Sequence, residues 1–306
     1  MNKDSQQHQA VLVKEVLETL NPQKDCYYID ATFGRGGHSR EILNKGAKVI
    51  AFDFDERSIE KAKELFSKEI NSNQLILLRE NFNKMNESLL NLKKSLNLEI
   101  SGIFFDFGTS TDQLMSKDRG FSFEAREEIL DMRMDERLGV KACDLLKLID
   151  EKQLAKMLFE YGGENDARAI AKRIIQVRKK DPNSLDKVGT LVDIVDQVKG
   201  QRARGKIHAA TKTFQALRII VNDELSNIEE TLPKALRILQ ESKAIDKRLV
   251  CIAFHEGEDR LVKTFFKQIE ATNIGKLINK KAIQASEEEL AINPRSRSAK
   301  LRAVAL

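Results

Sequence analysis

Three groups of residues in this chain have the types and spacing to do chemistry. The first is Asp30-Ala-Thr-Phe-Gly34-Arg-Gly36-Gly37-His38. It stands between a short β-type run and a helical run. Glycines at such a turn let the backbone approach a ligand closely and leave the helix N-terminus free to donate hydrogen bonds. The dinucleotide pattern G-x-G-x-x-G fails here, because Ser39 occupies its last position. Asp53 lies 19 residues beyond Gly34, at the end of the next strand, near the separation expected for an acceptor of ribose hydroxyls. An acid before the glycines and another after the second strand suit an uncharged or cationic ligand that carries a ribose. S-adenosylmethionine has a sulfonium, an ammonium and a ribose diol but no phosphate, and it fits. The plainer reading of the same spacing is a tight strand-to-helix turn without a ligand.

The second group is Asp106-Phe107-Gly108-Thr109-Ser110. An acid at this strand end can accept a hydrogen bond from a substrate amino group or from a cofactor; it can equally brace its own loop. The third is His255-Glu256-Gly257-Glu258-Asp259-Arg260. A histidine at a strand end can orient or deprotonate a substrate, whereas the acids after it suit the N-terminus of a helix. Phe121 and Phe123, close to Arg119, have the composition of a base-stacking surface and equally that of core anchors.

These residues need elements to hold them. Apolar residues at 11, 13, 16, 17 and 20 have a helical period closed by Pro22. Short β-type runs end at Asp30, Asp53, Leu78 and Asp106, with helices expected over 38–44 and 58–69, the latter capped by Ser58. Strands alternating with helices indicate an α/β fold with a doubly wound parallel sheet, whose ligands sit outside the carboxyl ends of the strands. From about residue 140 the pattern is helical only, over 143–161, 164–179, 184–199 and 214–239, where Pro233 is the expected break. A strand returns over 248–254, followed by a helix over 258–268. The expected organisation is a discontinuous core of residues 1–113 and 213–306, interrupted by a helical insert of residues 114–212.

The chain has 306 residues, which at roughly 150 per domain suggests two domains. Four Pro and 15 Gly exclude collagen-like and low-complexity classes, and a 41% hydrophobic content excludes general disorder. No apolar run approaches the roughly 20 residues that span a bilayer, and the polar N-terminus has no signal-peptide core. Cys26, Cys143 and Cys251 are far apart, with no CxxC pair and no histidine at ligand spacing. A disulfide framework and a zinc site are therefore not expected, and the compartment is read as cytoplasmic. The net charge is only +5, but its distribution is uneven. Lys199–Arg218 holds six basic residues and no acid, Lys172–Lys180 five, and Asn293–Leu306 four. Such blocks suit a polyanion, because phosphate contacts release counterions; singly, each is also an ordinary solvated face.

Together the segments resemble the bacterial 16S rRNA cytosine-N4 methyltransferase family. The resemblance rests on His8-x-x-Val11-Leu12, Asp30-Ala-Thr-Phe-Gly-Arg-Gly-Gly-His-Ser39, Arg119-Gly-Phe-Ser-Phe123 and Leu130-Asp-Met-Arg-Met-Asp135. It continues in Thr213-Phe-Gln-Ala-Leu-Arg-Ile219, Val221-Asn-Asp-Glu-Leu225 and Asn293-Pro-Arg-Ser-Arg-Ser-Ala-Lys-Leu-Arg302, and so covers nearly the whole chain. It implies a Rossmann-like class I methyltransferase sheet with an inserted all-helical substrate-recognition domain, and S-adenosylmethionine as cofactor. By matching position, Gly34, Gly36, Gly37 and His38 contact that cofactor, Asp53 holds its ribose, Phe82 lies against the adenine, and Asp106 and Gln113 complete the pocket. The implied substrate is a cytosine of 16S rRNA near the decoding site, within the small ribosomal subunit. The expected reaction is direct methyl transfer to the exocyclic N4, with Asp106 as first and His255 as second candidate to accept an amino hydrogen. Where the family usually reads Asp-Leu-Gly-Val-Ser-Ser and Phe-His-Ser-Leu-Glu-Asp-Arg, this chain has Asp106-Phe-Gly-Thr-Ser-Thr111 and Phe254-His-Glu-Gly-Glu-Asp-Arg260. Those departures motivate an alternative, a non-catalytic rRNA-binding or ribosome-assembly factor derived from such an enzyme.

Overall fold

The expected strands are continuous apolar runs, and the sheet they build has helices on both faces. The computed structural model describes residues 10–94, 96, 98–108, 119–200 and 208–306. Its contacts divide the chain into two compact units, residues 1–108 with 225–306, and residues 109–224. The expected boundaries at 113/114 and 212/213 differ from these.

The first unit runs α1 (Val13–Leu20), β1 (Tyr27–Asp30), α2 (Gly37–Asn44), β2 (Lys48–Phe52), α3 (Glu56–Leu65), α4 (Ser67–Asn71), β3 (Leu75–Leu78), α5 (Met85–Lys93) and β4 (Ile100–Asp106). The second unit supplies α6 (Ala142–Leu148), α7 (Glu151–Gly162), α8 (Ala167–Lys180), α9 (Val188–Lys199) and α10 (Thr211–Val221). Then follow α11 (Glu224–Glu241), β5 (Arg248–Ala253), α12 (Glu256–Ala271), β6 (Lys276–Leu277), α13 (Glu287–Ile292) and β7 (Lys300–Ala305).

The seven strands stand in the order β3-β2-β1-β4-β5-β7-β6. β1 to β5 are parallel, and β7 enters antiparallel between β5 and β6. The order reverses between β1 and β4, and the crevice of an open α/β sheet lies at such a reversal. One sheet face packs Ile29, Ile50, Phe52, Ile103, Phe105, Leu249 and Cys251 against Met85, Leu232, Ile238, Val262 and Phe266 of α5, α11 and α12. The other packs Tyr28, Val49, Phe104, Val250 and Ile252 against Val16, Leu20, Ile42 and Ala62 of α1, α2 and α3. This is the two-residue period of a strand buried on both sides.

In the second unit α8 packs on α7 and α9, and α10 packs on α7. The unit is tied by Asn222, which donates to the Met132 carbonyl at 2.8 Å and accepts the Met134 N–H at 2.7 Å. Met132 is buried in the left-handed region, with φ 62°. Glu164, 1% exposed, accepts from Lys199 at 2.7 Å and from Thr213 Oγ1 at 3.1 Å. Thr213 opens the expected second half of the core, yet its helix belongs to this unit.

Several element ends differ from the sequence reading. The expected single helix over 143–161 is two, because Ile149 and Asp150 turn extended and Asp150 caps α7 through the Gln153 N–H at 2.9 Å. The expected helix over 214–239 breaks at Asn222 and Asp223 rather than at Pro233. There the Asn222 amide takes the Arg218 carbonyl and Asp223 has φ 50°; a side chain competing for backbone partners ends a helix. Pro233 sits inside α11, where the carbonyl it leaves unbonded belongs to the exposed Glu229. Asp55, not Ser58, caps α3, since Ser58 is buried within it. β6 and β7 were not expected; in sequence the β7 segment reads as part of a basic tail.

Candidate active site

The carboxyl ends of β1, β2 and β4 bring Asp30, Asp53 and Asp106 to one edge of the sheet. The three acids do different things there. Asp30, 1% exposed, turns inward and accepts the Thr32 N–H at 3.1 Å and the Ser39 hydroxyl at 2.7 Å. Burial pushes its carboxyl up to about 6, against the opposing effect of those two bonds. It braces the turn. Ser39, the residue that breaks the dinucleotide pattern, is what holds it.

Asp53 binds the loop to the second strand. Its Oδ2 accepts the Gly34 N–H at 2.7 Å and its Oδ1 the Asp55 N–H at 2.8 Å. Burial pushes its carboxyl up to about 7, and the neighbouring Asp55 and Asp30 add to the rise. Each oxygen keeps a lone pair for a further donor.

Asp106 is the least satisfied of the three. Its backbone N–H donates to Thr32 Oγ1 at 2.6 Å, but its buried Oδ1 has no hydrogen-bond partner among the described residues. A quarter of the side chain stays open, yet protein rings the carboxyl. Desolvation first, then the charges of Asp30 and Glu258, hold it well above the usual carboxylate range. Across from it stands His38, buried in the first turn of α2 and packed on the Phe104 ring at 4.6 Å. Its Nε2 donates to the Val11 carbonyl at 2.8 Å, which leaves Nδ1 as an acceptor. Burial lowers its pKa to about 4, so the ring is neutral at pH 7. Nδ1 faces Asp106 Oδ2 at 3.8 Å. Two acceptors thus point at one another beside an orphaned oxygen. Such a place takes a ligand that supplies several donors, above all a cation.

The glycines divide the work of the loop. A Cβ on Gly36 would lie 2.5 Å from Phe33 and 2.6 Å from Phe66, and its φ is 75°. One on Gly37 would lie 2.8 Å from Ala10. Both are fixed by close packing. Gly34, at φ 55°, has nothing within 4 Å of such an atom, so the open side of the loop lies there. Phe82 opens the short turn capped by Asn81 and packs edge-on against Phe105 at 5.6 Å. Gln113, with Thr109 and Thr111, lies outside the described residues.

His255 stands at the end of β5, the strand beside β4. It is the N-cap of α12: its Nδ1 accepts the Gly257 N–H at 3.1 Å. Glu258 closes the capping box by accepting the Phe254 N–H at 2.7 Å and the His255 N–H at 3.2 Å. His255 Nε2 lies 3.2 Å from Glu258 Oε1, but the alignment is too poor for a hydrogen bond. Asp259 pairs with Arg302 at 2.7 Å and with Lys300 at 3.5 Å; although burial alone would raise its carboxyl, those cations hold it below its ordinary value. Phe121 is buried, and Phe123 is stacked by His208 at 4.5 Å and flanked by Phe214 at 5.0 Å.

Thr32, Ser39 and the Val11 carbonyl escape a sequence reading. Only Ser39 leaves a trace there, as a hydroxyl nine residues after the acid it holds.

Comparison with known proteins matches residues 5–306 to the model of the MraW methylase family. A protein called ribosomal RNA small subunit methyltransferase H from Wolbachia sp. subsp. Drosophila simulans is 43% identical, over 97% of this chain and 98% of its own length. Proteins of the same name from Sulfurihydrogenibium sp. and Lactobacillus johnsonii are 42% and 38% identical. Those matches cover 97% and 96% of this chain and 98% and 97% of the relatives. The chain belongs to the MraW methylase family.

Proposed function

We propose, with that membership as premise, that this protein methylates small-subunit ribosomal RNA with S-adenosylmethionine, at the exocyclic N4 of a cytosine near the decoding site. The observation that carries the reading is the pair of acceptors Asp106 and His38 at the strand ends, with Asp106 Oδ1 unpartnered among the described residues. It suits the ammonium of S-adenosylmethionine, and the remaining lone pairs of Asp53 suit the ribose diol. When bound, that cofactor supplies an electrophilic methyl group on a sulfonium.

The chain's residues then have three tasks. Asp53 and the Gly34 turn orient the ribose, with Phe82 at the adenine side. His38 stays neutral and accepts, because its other nitrogen is committed to Val11. Asp106 accepts a hydrogen bond at Oδ1, from the cofactor or from the cytosine amino group. The N4 lone pair is delocalised into the ring, so the group must be turned and aligned; most acceleration comes from positioning and electrostatics. His255, at the next strand end, is the second candidate to touch the base, as a donor through Nε2, because its Nδ1 lone pair already takes the Gly257 N–H. The base must leave its stack to reach the strand ends. The helical unit, residues 109–224, is read as the part that recognises rRNA. Among the described residues no helix is long and apolar enough to cross a membrane. The cytoplasm and the small ribosomal subunit are its proposed setting.

The test is transfer of labelled methyl from S-adenosylmethionine to small subunits lacking their native methylations, read by nucleoside mass spectrometry. N4-methylcytidine is the expected product. Cofactor binding without transfer would favour an rRNA-binding factor instead.

A further inference from the structure

The helical unit has more basic residues than it has basic surface. In the Lys199–Arg218 stretch, Lys199 is bound to Glu164 and to the Ala209 carbonyl, at 2.7 and 2.6 Å. Lys212 is bound to the Gly163 carbonyl at 2.9 Å, and Arg218 to Glu224 at 2.7 Å. Arg202, Arg204 and Lys206 lie outside the described residues. On α8, Arg178 donates to the carbonyls of Leu146 and Ile149 at 3.0 and 2.7 Å, and Arg173 to Gln197 at 3.0 Å. These cations hold the unit together.

Arg168, Lys172, Lys179 and Lys180 do not. All four are exposed, and none makes an ion pair among the described residues. α8 contains no acid, and it buries Ala167, Ile170, Ala171, Ile174 and Ile175 along a side that the exposed cations flank. At about 100° per residue, Arg168, Lys172 and Lys179 fall within about 40° of one another, along about 16 Å of helix. Helix stability accounts for part of this only. Lys179 and Lys180 lie in the last turn, where the helix dipole favours cations. Arg168 lies in the first turn, where it disfavours them, and like charges at 168 and 172 repel.

We propose that the exposed row Arg168, Lys172 and Lys179, with Lys180 at its end, is where the helical unit binds the phosphate backbone of the RNA substrate. This rests on the reading that rRNA is that substrate. A row of cations without acids, on a rigid helix, attracts phosphates by displacing their counterions and carries no base preference. Sequence selection therefore belongs elsewhere, and α8 sets affinity and register.

The full-length protein is titrated with a fluorescein-labelled transcript of small-subunit rRNA between about 50 and 200 mM salt. The variant R168Q/K172Q/K179Q is expected to lower the slope of log affinity against log salt by about 2, and to bind at least about tenfold more weakly at the upper end. S-adenosylmethionine binding and the melting temperature stay unchanged. K63Q/K68Q/K267Q, which removes the same charge from exposed positions of the first unit, leaves the slope within about 0.5 of the parent. R168K/K172R/K179R, which keeps the charge, restores the parental slope. An unchanged slope in the first variant, or an equal loss in the second, overturns the proposal. A parent protein with no salt-dependent binding to the transcript overturns the rRNA reading and this inference together.

Discussion

Two strand ends of this molecule carry the same kinds of residue and use them differently. At the end of β5, His255, Glu258 and Asp259 turn to their own chain: to the backbone N–H groups that start α12 and to the cations of β7. At the ends of β1 and β4, His38 Nδ1 faces Asp106 Oδ2 at 3.8 Å, and Asp106 Oδ1 has no hydrogen-bond partner among the described residues. The two places differ in what their hydrogen bonds do, not in composition: those of His255 Nδ1 and Glu258 Oε2 start a helix, while Asp106 Oδ1 has no partner among the described residues. A carboxylate whose lone pairs are engaged by a helix N-terminus has little left for a ligand. A desolvated one without a donor is unfavourable in the free protein, and that cost is relieved when a ligand brings donors.

The comparison breaks most directly at Asp106. Asp106→Ala is expected to lower kcat/KM for methyl transfer by at least about 10²-fold, the scale of losing one well-placed electrostatic group. Its melting temperature should not fall, because the unpartnered carboxyl is costly in the folded protein. A variant of near-normal activity removes Asp106 from the mechanism.

The loop gives the next largest contrast. Gly36→Ala meets both a left-handed φ and two phenyl rings, and should destabilise the protein by about 2–3 kcal/mol in denaturant titrations. Gly34→Ala has the strain without the collision, so its melting is affected less while its cofactor affinity falls. Equal stability losses in the two would contradict an open face at Gly34.

Titration sharpens the same contrast. Asp53, raised to about 7, and Asp30, raised to about 6, hold protons in the folded protein that the unfolded chain releases near pH 4. Their contribution to stability is therefore present below about pH 4 and is lost as pH rises through 6 and 7. The cofactor-free protein should melt at a lower temperature at pH 8 than at pH 5. A ligand whose hydroxyls donate to the Asp53 carboxylate binds more tightly as pH rises towards 7, by at most about tenfold per unit. Asp53→Asn should flatten both trends.

The smallest effect is expected on the other side. His255→Ala loses an N-cap and should cost about 1 kcal/mol of stability, whereas His255→Asn, which can still cap, should cost a few tenths. If His255→Asn keeps the stability but loses methyl transfer, the histidine touches substrate as well as capping its helix.

The contrast between the strand ends could not be read from the sequence. The strings Asp30–His38 and His255–Arg260 each carry an acid and a histidine, and each has a glycine near the start of a helix. What distinguishes them is the Thr32 hydroxyl reaching the Asp106 N–H across 74 positions, and Arg302 reaching Asp259 across 43. Nor does the count of lysines and arginines tell which are free. Lys199 and Arg168 look alike in sequence, but one is enclosed with Glu164 and the other is in water.

The amino-acid sequence by itself determined the parts that depend on near neighbours. Short continuous apolar runs and apolar residues with a period near four set the strands and helices through β4. The acids at the strand ends followed from adjacency, and the interruption by helices followed from where the period changes. Family-specific strings spread over the chain settled its kinship. The tertiary structure alone decided where β7 enters the sheet, because an edge pairing is chosen by partners distant along the chain. It also decided which glycine is open, that Asp106 Oδ1 lacks a hydrogen-bond partner among the described residues, and which cations remain in solvent. Each of those depends on what packs around a side chain, and burial is a property of the assembled fold.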